Sequence, residues 1–484
     1  MQGGIFKFLF SATLSALLLF TSSCGGGGGG GGDDATGDSS NLGQSTWVLR
    51  WNQIAIDASG IDHQNAKEQL GPVRSARAIA IVHIAMADAV AAITKKFSSY
   101  LPIQEAPANT SMKAAIAQAA HDALVAMFPR QAESFDRFLA EDLSHVTDEA
   151  EKANGIALGK ATAAAILTNR QNDGSERAEP YVPINYTFSQ EPGHWRKDPM
   201  NPNQPVIGST WMNVKPMVLE SATQFRLPPP PPMESPEYAA AYEEVKRVGG
   251  DGVITPTERT DDQTIAGIFW AYDGTPSLCA PPRLYNQITV QLGRAHNLDV
   301  VQFARLLALV NITLSDAGIA SWDSKYFYDF WRPVAGIREA DEGMGPLGLG
   351  DGNPATIADP NFIPLGAPAS NLNGPNFTPP FPAYPSGHAT FGGALFQTLR
   401  KFFGTDDIAF TFTSDEFNGQ TVDGSGVVRP QLSRSFRNLS EAEEENGQSR
   451  IYLGIHWSFD KTGGITQGRH VADYVFDRAF VPAQ

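Results

Sequence analysis

The chain has 484 residues, enough for two or three domains or one large one, and 42% are hydrophobic, so a sizeable core can form. The formal net charge of −16 argues against a nucleic-acid partner, which would require a basic face. The two cysteines, Cys24 and Cys279, provide no disulfide framework, and Cys279 is expected to be a lone buried thiol.

The first segment of the chain is typical of an export signal. Lys7 precedes an apolar run over residues 8–20, which is short for a membrane span but suits the core of a signal peptide. The small residues 21–23 before Cys24 resemble a bacterial lipoprotein signal, in which that cysteine becomes lipidated. The alternative is plain secretion with ordinary cleavage nearby. Both alternatives predict an exported protein with a signal over residues 1–24, and only the first attaches it to a membrane, through an N-terminal lipid on Cys24.

A flexible linker is predicted after this signal. Residues 25–45 start with eight glycines and continue mostly with Asp, Ser, Gly and Asn, a composition that cannot form a core. Folded sequence is expected from about Trp47. We predict an N-terminal helical half over residues 46–234 and a C-terminal half over residues 235–484.

Apolar residues at three-to-four spacing predict helices through most of the remainder. Two long stretches rich in Pro, Gly and Asn, residues 173–233 and 341–384, predict loops of a length that is usually functional or disordered. We find no alternating strand pattern of any length and predict helical bundles joined by long loops. The predicted helices are Val73–Lys96, Ser111–Phe128, Gln131–Arg170, Glu237–Val248, Arg259–Tyr272, Leu284–His296, Val300–Ser321 and Ala389–Phe403.

The first stretch that carries chemistry is KYFYDFWRP, residues 325–333. Lys325 and Arg332 are seven residues apart, so that on a helix both cations would share one face. Pro333 biases Arg332 away from helical dihedral angles, which predicts that the pair lies at a helix end beside an aromatic cluster. Taken alone, the stretch is equally consistent with a solvated cationic pair on the surface.

The second stretch is PSGHATFGG, residues 385–393, at the start of a predicted helix. Ser386 offers a hydroxyl where backbone N–H groups lack partners, and Gly387 lets a ligand approach the backbone closely. A helix N-terminus of this kind can bind an anion, and His388 could then give or take a proton beside it. The plainer interpretation is a serine N-cap followed by an incidental histidine.

The third stretch is SRIYLGIHW, residues 449–457. Arg450 and His456 are six residues apart and would not share a face of one regular helix. Gly454 can end the helix, so that His456 turns back toward Arg450, although an exposed arginine and a capping histidine would fit too. Together the three stretches contribute three cations, a helix N-terminus and two histidines, which suits chemistry on a trianion of phosphate shape.

The order Lys-x6-Arg-Pro, Pro-Ser-Gly-His and Ser-Arg-x5-His resembles the signature of the type 2 phosphatidic acid phosphatase and vanadium haloperoxidase superfamily. WAYDGT, PPRLYNQI, DAGIASW and SRIYLGIHWSFD extend the similarity toward vanadium-dependent chloroperoxidases of fungal type, over roughly residues 270–460. The resemblance implies an all-α fold of two four-helix-bundle-like halves, with the active site in the C-terminal one. The long gap from His388 to Ser449 predicts an inserted loop.

The resemblance also implies a role for each residue of the signature. His456 would be the axial ligand of a vanadate cofactor, and His388 the acid–base group beside it. Asp273, in WAYDGT, would pair with Arg450 and orient it. Phosphate has the same shape as vanadate and could occupy the same site. The groups implied to bind and neutralise the vanadate oxygens are Lys325, Arg332, Ser386, Gly387 and Arg450.

The implied activity is oxidation of halide by hydrogen peroxide to hypohalous acid through a peroxovanadate bound to His456, with small organic acceptors then halogenated. Lys325 would polarise a peroxo oxygen, and Trp322 and Phe381 match positions that line the halide side in chloroperoxidases. The alternative is an acid phosphatase in which His456 forms a phospho-histidine and His388 protonates the leaving group. A third possibility, an exported protein that binds oxyanions without turnover, would require an incomplete site.

Overall fold

Helices make up most of the regular structure in the computed structural model, which describes residues 39–483. The predicted signal peptide with Cys24, and most of the predicted linker, lie outside the described residues. The helices α1–α13 span Ser39–Gln64, Pro72–Thr94, Met112–Met127, Ala132–Ser144, Glu149–Asn169, Pro236–Val248, Asp261–Phe269, Pro281–Ala295, Val300–Tyr328, Pro333–Arg338, Gly387–Phe403, Leu439–Tyr452 and Ser458–Phe476. The strands β1 and β2 span Phe410–Asn418 and Gln431–Phe436.

Helix α1 starts earlier than the sequence suggested. It begins at Ser39, so its first turns lie inside residues 25–45, and this corrects the end of the predicted linker. Val48, Trp51 and Ala55 recur at three-to-four spacing and are fully buried, which fixes the helix against the core. No proline interrupts the residues before them, and a helix that has nucleated gains one hydrogen bond for each residue added.

Two other helices end at residues that differ from those predicted. The single helix expected over residues 131–170 is two helices, because the Asp148 side chain accepts hydrogen bonds from the amides of Ala150 and Glu151, both at 2.9 Å, and starts α5 anew. Helix α9 continues past Ser321 to Tyr328, where Asp329 adopts a left-handed conformation with φ of 49° and ends it.

The two strands form a hairpin between α11 and α12, inside the insertion that the long gap predicted. Our expectation that no strand pattern exists was wrong: β1 begins Phe-Thr-Phe-Thr, with Phe410 and Phe412 buried and Thr411 exposed. The hydroxyl oxygens of Thr411 and Ser435 lie 2.7 Å apart across the pair. The all-α fold class is confirmed, since this hairpin is the one sheet within residues 39–483.

The helices pack in two groups that share α9. In the first group, α2 packs on α3, α5 and α9. In the second, α11 packs on α9, α12 and α13. The main hydrophobic cluster includes residues from Val48 to Phe480, so both groups of helices contribute to it, and three further clusters are separate from it. Helices α2 and α9 are long and apolar enough to cross a membrane by composition, but 94% of the most apolar window of each is buried in the protein, as expected for central core helices. The boundary between residues 234 and 235 stays a prediction.

Candidate active site

The two cations of the first stretch lie on different elements. Lys325 is in the last turn of α9, and Asp329 ends that helix. Arg332 is the N-cap of α10, in an extended conformation with ψ of 155°, because Pro333 follows it. The expectation that both cations sit at a helix end is met, but they do not share the face of one helix. Both side chains are buried, with Lys325 0% and Arg332 1% exposed.

The second stretch forms the N-terminus of α11. Ser386 is the N-cap, and its hydroxyl oxygen accepts a hydrogen bond from the amide of Ala389 at 3.4 Å. The Ser386 amide donates to the carbonyl oxygen of Asp460 at 3.0 Å, which ties the loop to α13. A Cβ on Gly387 would lie 3.3 Å from ring carbons of Trp322, so the glycine allows this close packing.

His456 turns back toward the cations from the loop after α12. Gly454 follows the end of α12 with φ of 71° and redirects the chain. The Nδ1 of His456 donates to Oδ2 of Asp460 at 2.7 Å, and Nη1 of Arg332 lies 2.8 Å from Nε2. Because a guanidinium only donates, Nε2 carries the lone pair. Burial, and then the charge of Arg332, lower the pKa of His456 well below its ordinary value, so the imidazole is neutral.

Asp460 is a site residue that the sequence analysis missed. Its carboxylate is fully buried, and Oδ2 also accepts a hydrogen bond from the amide of Trp457 at 3.1 Å. Burial raises the pKa of Asp460 to about 7, against the opposing effect of the Trp457 amide. The sequence signal that could have identified Asp460 is its spacing of four residues from His456. This spacing puts a carboxylate within reach of an imidazole at a helix start.

We expect Asp460→Ala to weaken binding of the vanadate that the resemblance implies by about 10–100-fold, because partners that orient a ligating histidine commonly contribute this much. Asp460→Asn keeps an oxygen that can accept from Nδ1 of His456 and should lose less. Calorimetric titration of both variants with vanadate, beside their thermal midpoints, checks this. Wild-type affinity in a folded Asp460→Ala protein would contradict it.

His388 is held by the segment that follows α7. Its Nε2 donates to the carbonyl oxygen of Ala271 at 2.5 Å, which leaves the lone pair on Nδ1. Nη2 of Arg450 donates to Oδ1 of Asp273 at 2.6 Å, the pair that the resemblance implied, and this oxygen lies 4.0 Å from Nε2 of His388. Burial, and then Arg450, lower the pKa of His388 well below its usual value, so it is an uncharged base near neutral pH.

The ammonium of Lys325 faces backbone carbonyls of the loop before α11. Nζ donates to the carbonyl oxygens of Pro382 and Ala383, both at 2.9 Å, and to that of Pro385. These contacts use all three of its donors, so bonding an oxyanion would require exchange of one carbonyl. Burial, and then Arg332, lower the pKa of Lys325 well below its ordinary value. Its direct contact with vanadate stays a prediction.

The guanidinium groups of the site carry unpaired donors. Within the described chain, Nη2 of Arg332 and Nε and Nη1 of Arg450 are buried and have no hydrogen-bond partner. Unpaired buried donors are costly, the more so when charged. The three cations also exceed the two nearby carboxylates, Asp273 and Asp460. The donor set therefore fits a multiply charged oxyanion such as vanadate, held by one histidine nitrogen and many N–H groups.

Arg450, His388 and His456 line a cavity of about 400 Å³. Much of its remaining wall is apolar, including Ile207, Pro380 and Phe391. Lys325, Arg332 and Ser386 are buried and do not line the cavity itself. The predicted residues that line it are Asp273, Trp322, Phe381, Gly387, His388, Arg450 and His456.

Fold and site together define a class of all-helical enzymes with a buried cationic pocket for a tetrahedral oxyanion. The sequence family described as the vanadium chloroperoxidase N-terminal domain matches residues 39–213, and the second helical-bundle domain of the same enzymes matches residues 305–483. Vanadium chloroperoxidase of Curvularia inaequalis is 31% identical over 496 residues, covering 86% of this chain and 79% of that protein. The chain belongs to the vanadium chloroperoxidase family.

Solved structures share the fold. A bacterial vanadium-dependent iodoperoxidase superposes with a TM-score of 0.71 at 22% identity, covering 90% of this chain and 97% of that one. A bacterial vanadium-dependent chloroperoxidase in its holo form gives a TM-score of 0.62 at 16% identity, covering 86% and 94%. At these identities the likeness concerns the fold.

Proposed function

We propose that this enzyme oxidises halide with hydrogen peroxide to hypohalous acid, using vanadate held at His456. The observation that carries the proposal is the set of unpaired, buried guanidinium N–H groups of Arg332 and Arg450, together with an imidazole whose Nε2 lone pair accepts a hydrogen bond from Arg332. Family membership supports the same cofactor and the same two substrates.

The residues that would hold vanadate divide into a ligand and a set of donors. His456 offers Nε2, after Arg332 gives up its hydrogen bond to that atom. The free N–H groups of Arg332 and Arg450, with the Ser386 hydroxyl and the Gly387 amide, would donate to the oxygens. When bound, vanadate supplies Lewis-acid activation of peroxide.

His388 is proposed as the base that takes a proton from hydrogen peroxide. The Ala271 carbonyl fixes its Nε2–H, so Nδ1 is the atom that can accept. His388 lines the cavity with Arg450 and His456, so an incoming peroxide can reach it. Its lowered pKa keeps it in the accepting form at neutral pH.

We propose that the part of the cavity wall formed by Trp322 and Phe381 is the halide side of the site. The ring centroids of Trp322 and Phe381 lie 4.9 Å apart, and Nζ of Lys325 is 5.3 Å from that of Phe381. A halide here would meet apolar ring surfaces with a cation behind them, which favours a weakly hydrated anion. The cavity of about 400 Å³ exceeds what peroxide and halide need, so small organic acceptors are proposed to enter it.

An acid phosphatase remains the second candidate, because the same donors would bind phosphate. The observation that favours it is a neutral His456 that keeps a lone pair on Nε2 and donates from Nδ1 to Asp460, the arrangement of an activated histidine nucleophile once Arg332 gives up its hydrogen bond to Nε2. We also propose that phosphate occupies the vanadate site in competition.

One assay separates the two candidates. The purified full chain is incubated with vanadate and tested for peroxide-dependent bromination and chlorination of a dye, beside hydrolysis of a phosphate ester. We expect halogenation that requires vanadate and is suppressed by inorganic phosphate. Ester hydrolysis without halogenation would overturn the first proposal and support the second.

We further propose that the protein is exported and anchored to the cell envelope through a lipid on Cys24, as the pattern of residues 1–24 supports. The catalytic half would then work at a distance set by the glycine-rich linker. Fractionation of cells expressing the wild type and Cys24→Ser tests this, since only the wild type should pellet with membranes.

A further inference from the structure

The short segment between α7 and α8 holds two active-site residues. The carbonyl oxygen of Ala271 accepts the hydrogen bond from His388, and the Asp273 carboxylate accepts that from Arg450. Between them, Tyr272 has φ of 44°, a left-handed conformation that is unfavourable for a bulky side chain. Other parts of the protein must therefore hold this segment in place.

Three consecutive residues of strand β1, in the inserted hairpin, contact the last residue of α7 and the segment that follows it. The Ser414 hydroxyl donates to the carbonyl oxygen of Phe269 at 2.7 Å. The amide of Asp415 donates to the Tyr272 hydroxyl oxygen at 2.6 Å, and the amide of Tyr272 donates to Oε1 of Glu416 at 3.2 Å. The last of these contacts fixes the backbone between the two active-site acceptors.

Glu416 is itself held rigidly. Its side chain is 0% exposed, and Oε2 accepts hydrogen bonds from the Ser370 hydroxyl at 2.6 Å and from Nη1 of Arg429 at 2.5 Å. A buried carboxylate is costly to desolvate, and here both of its oxygens are engaged. The carboxylate thus joins the hairpin, the long loop that contains Ser370 and the segment that orients His388.

We propose that Glu416 is a positioning residue of the active site. Through the Tyr272 amide it sets the Ala271 carbonyl and the Asp273 carboxylate, and through these the orientation of His388 and Arg450. The inference rests on the proposed function for its catalytic readout. The inserted hairpin is therefore part of the machinery that arranges the site.

The test compares Glu416→Ala with Glu416→Gln and with the matched control Thr413→Ala. Gln keeps a carbonyl oxygen for the Tyr272 amide, although its NH2 group then faces Nη1 of Arg429, whereas Ala removes both acceptors. Thr413 lies on the same strand, and its hydroxyl pairs with that of Ser433. The measurements are hydrogen exchange in peptides covering residues 269–273, vanadate affinity of the vanadate-free protein by calorimetry, and kcat and KM for peroxide.

We expect Glu416→Ala to accelerate exchange in residues 269–273, weaken vanadate binding about 10–100-fold and lower kcat, since the partners of site residues commonly matter this much. Glu416→Gln should recover part of these losses, because it restores the acceptor for the Tyr272 amide but not the one for Arg429, and Thr413→Ala should match the wild type. If Glu416→Ala does not fold, Glu416→Asp, which withdraws the carboxylate by one methylene, replaces it.

Two results would overturn the inference: unchanged exchange in residues 269–273, or a lower thermal midpoint with wild-type vanadate affinity and kcat. Failure of the proposed function looks different, because the wild type itself would then neither bind vanadate nor halogenate. The exchange measurement would still decide whether Glu416 holds the segment.

Discussion

His456→Ala is expected to abolish vanadate-dependent halogenation. The substitution removes the Nε2 lone pair, which would form the one proposed coordinate bond to vanadium. Vanadate affinity should therefore fall by more than about 100-fold, the upper range for loss of an orienting partner alone. Calorimetric titration with vanadate and the peroxide-dependent dye assay measure the two effects.

His470→Ala is the matched control for this variant. His470 lies on α13 with its side chain exposed and its ring 6.0 Å from that of Phe225, outside the site. Both assays should give wild-type values for it. Retention of vanadate-dependent turnover by His456→Ala would exclude His456 as the ligand.

Arg450→Ala is expected to have two separable effects. It removes two unpaired N–H donors, each charged, so vanadate affinity should fall about 100-fold or more, because one such bond contributes about 1.5–3 kcal/mol. It also strips the buried Asp273 of its hydrogen-bonded cation, which should lower the free energy of unfolding by about 3–5 kcal/mol. Denaturant titration measures the second effect.

The double variant Asp273→Asn/Arg450→Ala separates the two effects. Neutralising Asp273 removes the stranded charge, so most of the lost stability should return while vanadate affinity stays low. Recovery of both properties together would show that Arg450 acts by supporting the fold and does not bind the oxyanion.

The residues of the site were predictable because their signals are local. Ser386 before a glycine and an apolar run is an N-cap pattern, Pro333 forces Arg332 out of a helix, and Gly454 allows the turn that carries His456. Each of these depends on neighbours within a few positions along the chain. Their ordered spacing then sufficed to suggest one pocket.

The features that the sequence did not predict depend on contacts between distant segments. The alternation in β1 is clear over only four residues, and its pairing with β2 lies across a long turn. Asp460 and Arg332 together decide which nitrogen of His456 holds the proton. Glu416 contacts Tyr272, which lies 144 positions away along the chain. Such contacts between distant segments leave no periodic pattern in the sequence of a single helix or strand.

The three carbonyl contacts of Lys325 change how its substitution must be interpreted. Its ammonium connects the end of α9 to the loop over residues 382–385, immediately ahead of Ser386, and so acts as a noncovalent cross-link. Removing it would release the approach to the helix entrance as well as delete a charge. Lost turnover in a Lys325 variant would therefore combine electrostatics with geometry, and a crystallographic comparison of that loop would be needed to separate them.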